Sequence, residues 1–137
     1  MVEPSRGEKQ ERIRIILVED DPDLGKMLKR FFETQNVELH WETDGRSALS
    51  RFKTSNPPPH IVLTDINLPG IDGYQLLQEI RRIDPQVPVI FLTGDDQIKS
   101  KKDSTVPPDL ILNKPVRLAQ LEAIIAKFGK KKQITHY

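Results

Sequence analysis

The 137-residue chain contains no cysteine, a single tryptophan, two tyrosines and five phenylalanines, and its charge is almost balanced at +1. The absence of cysteine excludes a disulfide framework, a thiolate metal site and a cysteine nucleophile, and it suits a reducing compartment. The small net charge, 21 basic against 20 acidic residues, gives no overall field to draw the chain to nucleic acid or an anionic membrane. No apolar run is long enough to cross a bilayer, and Met1 to Arg12 is too polar for a signal peptide. One domain in a soluble, cytoplasmic protein is expected. Residues 1–12 should form a flexible polar leader, residues 13–129 the domain, and residues 130–137 a basic tail.

What is present are short apolar runs. Ile13–Val18 is nearly continuous and β-branched, as in a strand covered on both faces. Pro22 behind a capping Asp21 opens a helix whose Leu24, Met27, Leu28, Phe31 and Phe32 share one face. Val37, Leu39 and Trp41 alternate with Glu38, His40 and Glu42, the pattern of a half-solvated edge strand. After Asp44-Gly45 a short helix carries Ala48, Leu49 and Phe52, and Asn56-Pro57-Pro58-Pro59 stops it. Ile61–Thr64 is a third strand. A loop rich in Pro and Gly leads to a helix with Leu76, Leu77, Ile80 and Ile83 inward. Val89–Leu92 and Leu110–Leu112 complete five strands, and Leu118, Leu121, Ile124, Ile125 and Phe128 form the stripe of a final helix. Between Gly94 and Pro108 only Ile98 and Val106 are apolar, so a fourth helix there should be weak. Strands alternating with helices specify an α/β fold with a parallel sheet.

Each of four strands ends at a side chain with chemistry: Glu19-Asp20-Asp21, Asp65, Thr93, and Asn113-Lys114. In an open parallel sheet, residues beyond the carboxyl ends of the strands meet in one crevice. Glu19, Asp20 and Asp65 would crowd three carboxylates together, and hard oxygen ligands with room for water suit Mg²⁺, with Mn²⁺ a possible substitute. Lys114 supplies an ammonium and Thr93 a hydroxyl donor. A carboxylate nucleophile beside a divalent cation, an ammonium and a hydroxyl is equipped to accept a phosphoryl group. Taken singly, each residue has a plainer reading. Asp21 is expected to be only a helix cap, Thr93-Gly94 could be a turn, and Lys114 a solvated lysine. Their joint occurrence, each at the end of its own strand, favours a site.

Val18-Glu19-Asp20-Asp21-Pro22, the block from Leu63 to Gly73 around Asp65, Phe91-Leu92-Thr93-Gly94 and Asn113-Lys114-Pro115 resemble the signature blocks of receiver domains of two-component response regulators, over about Ile13 to Phe128. The resemblance implies a flavodoxin-like doubly wound sheet of order 2-1-3-4-5, which agrees with the edge character of Val37–Glu42. It implies that Asp65 is the phosphoacceptor, served by a histidine kinase or phosphotransfer protein or by a small acyl phosphate. Asp20 and Asp65 would bind Mg²⁺ directly, Glu19 largely through water, and Asn67 through its backbone carbonyl. Thr93 would swing towards the phosphate, Lys114 would pair with it, and the Lys114-Pro115 bond would be cis. The output would pass to an unknown downstream protein through a remodelled face.

Two departures from the family pattern are visible. Glu19 stands where aspartate is commoner, and Ile111 stands where many receivers carry an aromatic switch residue. The alternative function is therefore a receiver-like interaction module that does not switch by phosphorylation. Flavin or nucleotide binding is disfavoured because the acidic Glu19-Asp20-Asp21 would repel a phosphate from the loop after strand one. Phosphatase turnover is disfavoured because Asn67 cannot donate a proton. No recognition helix or basic stripe supports direct nucleic acid binding. No membrane partner is expected, and the chain should be a monomer or weak homodimer.

Overall fold

The computed structural model describes residues 12–94 and 106–129. Five parallel strands, β1 (Ile13–Val18), β2 (Val37–Glu42), β3 (Ile61–Asp65), β4 (Val89–Thr93) and β5 (Leu110–Asn113), form one sheet in the order β2-β1-β3-β4-β5. Four described helices connect or flank them: α1 (Pro22–Glu33), α2 (Gly45–Thr54), α3 (Gly73–Ile83) and α4 (Leu118–Phe128). The α/β class, strand order and edge position of Val37–Glu42 are as expected. The weak helix expected within Gly94–Pro108 falls largely outside the described residues, as do the leader up to residue 11 and the basic tail. Among the described residues no helix is long and apolar enough to cross a membrane.

The two cores explain the continuous apolar runs, because alternate strand residues point to opposite faces. Ile15 and Leu17 of β1, Ile61 and Leu63 of β3, and Ile90 and Leu92 of β4 pack with Leu28 and Phe32 of α1 and Leu121 and Ile124 of α4. Ile16, Val18, Val62, Val89 and Phe91 point the other way, against Ala48 and Phe52 of α2 and Leu76, Leu77 and Ile80 of α3. Every residue of β3 and β4 is buried, whereas β2 has one buried residue in six. A one-residue slip of a central strand would exchange the contents of the two cores, so register is strongly specified.

Three of the four described helices start at an aspartate. The Asp21 carboxylate accepts from the backbone N–H groups of Asp23 and Leu24, with Pro22 in the first turn. Asp44 accepts from Ser47, and Asp72 forms a reciprocal capping box with Gln75. Three residues read as inward are exposed: Met27 in α1 (44%), Ile83 at the last position of α3 (48%) and Leu118 at the first position of α4 (51%). Helical periodicity marks a side, but burial ends where the opposing surface does.

Candidate functional site

The sheet register brings the strand-end residues level with one another. Val18 is aligned with Thr64, so Glu19 emerges beside Asp65; Asp65 is aligned with Leu92, so Thr93 lies one step further out; Thr93 is aligned with Asn113, so Lys114 follows immediately. Residues separated by 46 and 49 positions in sequence become neighbours by register alone.

Carboxylate oxygens of Glu19, Asp20 and Asp65 lie within 4.8 Å of one another. Glu19 is fully buried, Asp65 is 6% exposed and Asp20 faces solvent. Lys114 enters from the far side: its Nζ donates to Asp65 Oδ2 at 3.2 Å and stands 3.3 Å from Glu19 Oε1. The second contact is an ion pair without hydrogen-bond geometry, so Oε1 is a buried carboxylate oxygen with no donor among the described residues. The other Glu19 oxygen accepts from the Asp21 N–H at 3.0 Å.

Burial raises the Glu19 pKa above the ordinary glutamate value and the Asp65 charge adds to the rise, against the lowering effects of the Asp21 N–H and the Lys114 ammonium. Burial by itself would lower the Lys114 pKa, but the facing Asp65 and Glu19 carboxylates outweigh it and hold that pKa above the ordinary lysine value. The Lys114 ammonium touches two of the three carboxyl groups, so the cluster holds more acidic groups than the one positive charge beside it. An orphaned buried oxygen within a compact all-oxygen set fits a hard divalent cation.

Local structure fixes the acceptor side. Asp65 Oδ1 accepts from the Ile66 N–H at 2.7 Å, and its backbone carbonyl accepts from the Thr64 hydroxyl at 2.8 Å. The following turn passes through Gly70 at φ 79°, a left-handed conformation natural to glycine, and returns so that the Gly73 N–H donates to the Ile66 carbonyl. Asn67 sits exposed in this turn, two residues beyond Asp65. Thr93 is fully buried at the end of β4 and its hydroxyl donates to the Gly94 carbonyl at 3.2 Å. The Lys114 N–H donates to the Thr93 carbonyl at 2.7 Å, joining the two residues through the backbone, and the Lys114-Pro115 peptide is cis as expected. Ile111 is half-buried and packs with the core that holds Phe91, Tyr74 and Val106. Phe91 is covered edge-on by Tyr74, with ring centroids 5.0 Å apart.

Two contributors went unread in the sequence. The Trp41 indole N–H donates to the Glu19 carbonyl at 2.9 Å. Gly73 packs so tightly that a Cβ there would stand 2.7 Å from the Asp65 carbonyl oxygen. A tryptophan on an edge strand, whose N–H needs a partner, was the available signal for the first.

The family model for the response regulator receiver domain matches residues 15–126. The chain belongs to this family. The response regulator receiver protein CpdR of Brucella abortus is 34% identical over 115 residues, covering 83% of this chain and 94% of that protein. The transcriptional regulatory proteins YbdJ and CssR of Bacillus subtilis are 35% and 40% identical, and the matched regions span only 38% and 35% of their lengths. Among solved structures, the receiver domain of the sensor histidine kinase PA1611 from Pseudomonas aeruginosa superposes with a TM-score of 0.77 at 25% identity, covering 86% of this chain and 98% of that one. It was crystallised with a magnesium ion coordinated in its active-site cleft. Receiver domains are signalling switches.

Proposed function

We propose that this receiver takes a phosphoryl group onto Asp65 and that the resulting charge change alters the surface it presents to another protein. The observation that carries this reading is the meeting of Glu19, Asp20 and Asp65 within 4.8 Å, with Lys114 bonded to Asp65 at 3.2 Å. Glu19, Asp20 and Asp65 would hold Mg²⁺, with the Asn67 carbonyl as a further ligand; Mn²⁺ shares the same oxygen preference. When bound, the cation offsets the charge of the carboxylates and of the incoming phosphoryl oxygens.

The chain's own residues supply the rest. An Asp65 carboxylate oxygen forms the new P–O bond while the P–N bond of a donor phosphohistidine breaks, and the imidazole keeps the electron pair. A small acyl phosphate would serve in the same way, with its carboxylate leaving. Lys114 sits beside the acceptor with its positive charge already oriented, and pairs with the phosphoryl oxygens. The Thr93 hydroxyl turns from the Gly94 carbonyl to donate to one of them. A phosphoryl group brings about −1.5 to −2 of charge, if an acyl phosphate behaves as other phosphoryl groups do. The movement of Thr93 and Lys114 is transmitted to β5 and α4, which they adjoin.

The donor partner on this reading is a histidine kinase or phosphotransfer protein, and the output partner is a protein recognising the altered face. The test is incubation with acetyl phosphate and Mg²⁺ followed by intact mass measurement. A gain of one phosphoryl group in the wild type and none in Asp65→Asn supports the reading. An unchanged mass, under conditions that label another receiver, contradicts it.

A further inference from the structure

We propose that Trp41 is a positioning residue for the cation site: its indole N–H fixes the peptide joining Glu19 to Asp20 and so aims both carboxylates. The proposal rests on the reading of the acidic cluster as a divalent-cation site. Trp41 lies on β2, an edge strand that supplies no carboxylate to that cluster.

Glu19 follows the last residue of β1 and precedes α1, so neither element's regular hydrogen bonding holds its carbonyl. The edge strand takes over this task. The Glu19 N–H donates to the Glu42 carbonyl at 3.0 Å, and the Glu19 carbonyl accepts from Trp41 Nε1 at 2.9 Å. Because the peptide unit is planar, anchoring that carbonyl also sets the direction in which Asp20 leaves the strand. The exposed Asp20 carboxylate takes its aim from the backbone that carries it. The Glu19 side chain is then held by the Asp21 N–H on one oxygen, leaving the other towards Asp65 and Lys114.

A second feature shows that the ring's position is built in. Gly25 lies inside α1, where glycine is less favourable than alanine by roughly 0.5–1 kcal/mol. A Cβ at this position would stand 1.9 Å from Trp41 Cζ2 and 2.3 Å from Cε2. The helix therefore carries a notch in which the indole rests against the backbone, with its N–H towards Glu19. A side chain at position 25 would drive the ring out and remove the donor.

The test compares Mg²⁺ binding to the wild type and to Trp41→Phe by titration calorimetry, at a temperature where thermal melts show both proteins folded. Phenylalanine keeps an aromatic ring and lacks the N–H. Loss of one neutral hydrogen bond predicts Mg²⁺ affinity about five-fold weaker in the variant. In acetyl phosphate reactions the Mg²⁺ concentration for half-maximal rate should rise by a similar factor, with the saturating rate retained. If Trp41→Phe does not fold, Trp41→Leu, which also lacks a donor, takes its place in the same comparison. A lowered melting temperature with unchanged Mg²⁺ affinity would make Trp41 a packing residue only and overturn the proposal while leaving the cation site standing. No Mg²⁺ binding by the folded wild type would remove the cation reading and the proposal with it.

Discussion

Replacing Asp20 by asparagine should make the metal-free protein more stable and at the same time remove its response to Mg²⁺. Asp20 lies within 4.8 Å of the Glu19 and Asp65 carboxylates. At that separation two like charges repel by about 0.9 kcal/mol in water and about 3.5 kcal/mol at an effective dielectric of 20. Asp20 faces solvent, so the lower figure applies to each of its two repulsions, and its attraction to Lys114 offsets part of the sum. The net gain for Asp20→Asn without metal is about 1 kcal/mol, or roughly 3–5 °C in melting temperature for a domain of this size. With Mg²⁺ at about ten times its dissociation constant the wild type gains about 1.4 kcal/mol by mass action, while a variant that has lost a ligand gains much less. The order of stabilities therefore narrows or inverts between chelator and Mg²⁺. Thermal melts followed by circular dichroism in the two buffers measure this directly. A variant less stable than wild type in chelator, or one stabilised equally by Mg²⁺, would refute the electrostatic reasoning.

Lys114→Met leaves the buried Glu19 and the nearly buried Asp65 without their ammonium, and should cost about 1–3 kcal/mol in chelator, discounted from the cost of breaking a fully buried pair because Lys114 is partly exposed. Mg²⁺ should restore more stability to this variant than to the wild type, as paired melts would show. Gly73→Ala forces a Cβ towards the Asp65 and Ile66 backbone and should destabilise by about 1–3 kcal/mol in urea unfolding, with slower Asp65 phosphorylation because the acceptor's own backbone must shift. Asp44→Ala removes a helix cap and should cost about 1 kcal/mol at neutral pH. The Ser47 N–H and hydroxyl hold the Asp44 pKa below its ordinary 3.8 in the folded state. Its stabilisation is thus fully present above that value and is lost as pH falls through the folded pKa, so the gap between wild type and variant should shrink in acid.

The sheet could be read from sequence because a strand buried on both faces must be apolar at consecutive positions, and β1, β3 and β4 are. The site was legible for a related reason. Charged residues interrupt such an apolar run, so Glu19 and Asp65 mark where the run ends and the carboxylate cluster begins, although both side chains stay buried. Met27, Ile83 and Leu118 were misjudged because periodicity gives direction around a helix but not the extent of the surface opposite. The role of Trp41 was hidden by distance, since its partner carbonyl lies 22 residues earlier and no local pattern joins them. Gly25 was the missed clue, an isolated glycine inside a helical pattern, which points to close packing. Gly73 escaped notice because it read only as part of a turn, although its role is the contact of α3 with the Asp65 backbone.

The most direct test of the account is a crystal structure with Mg²⁺ and beryllofluoride bound. It should show the cation between the Glu19, Asp20 and Asp65 carboxylates, and the fluoroberyllate on Asp65 within reach of the Thr93 hydroxyl and the Lys114 ammonium. A cation held elsewhere, or an Asp65 carboxylate turned away from Asp20 and Lys114 with no adduct upon it, would contradict the account.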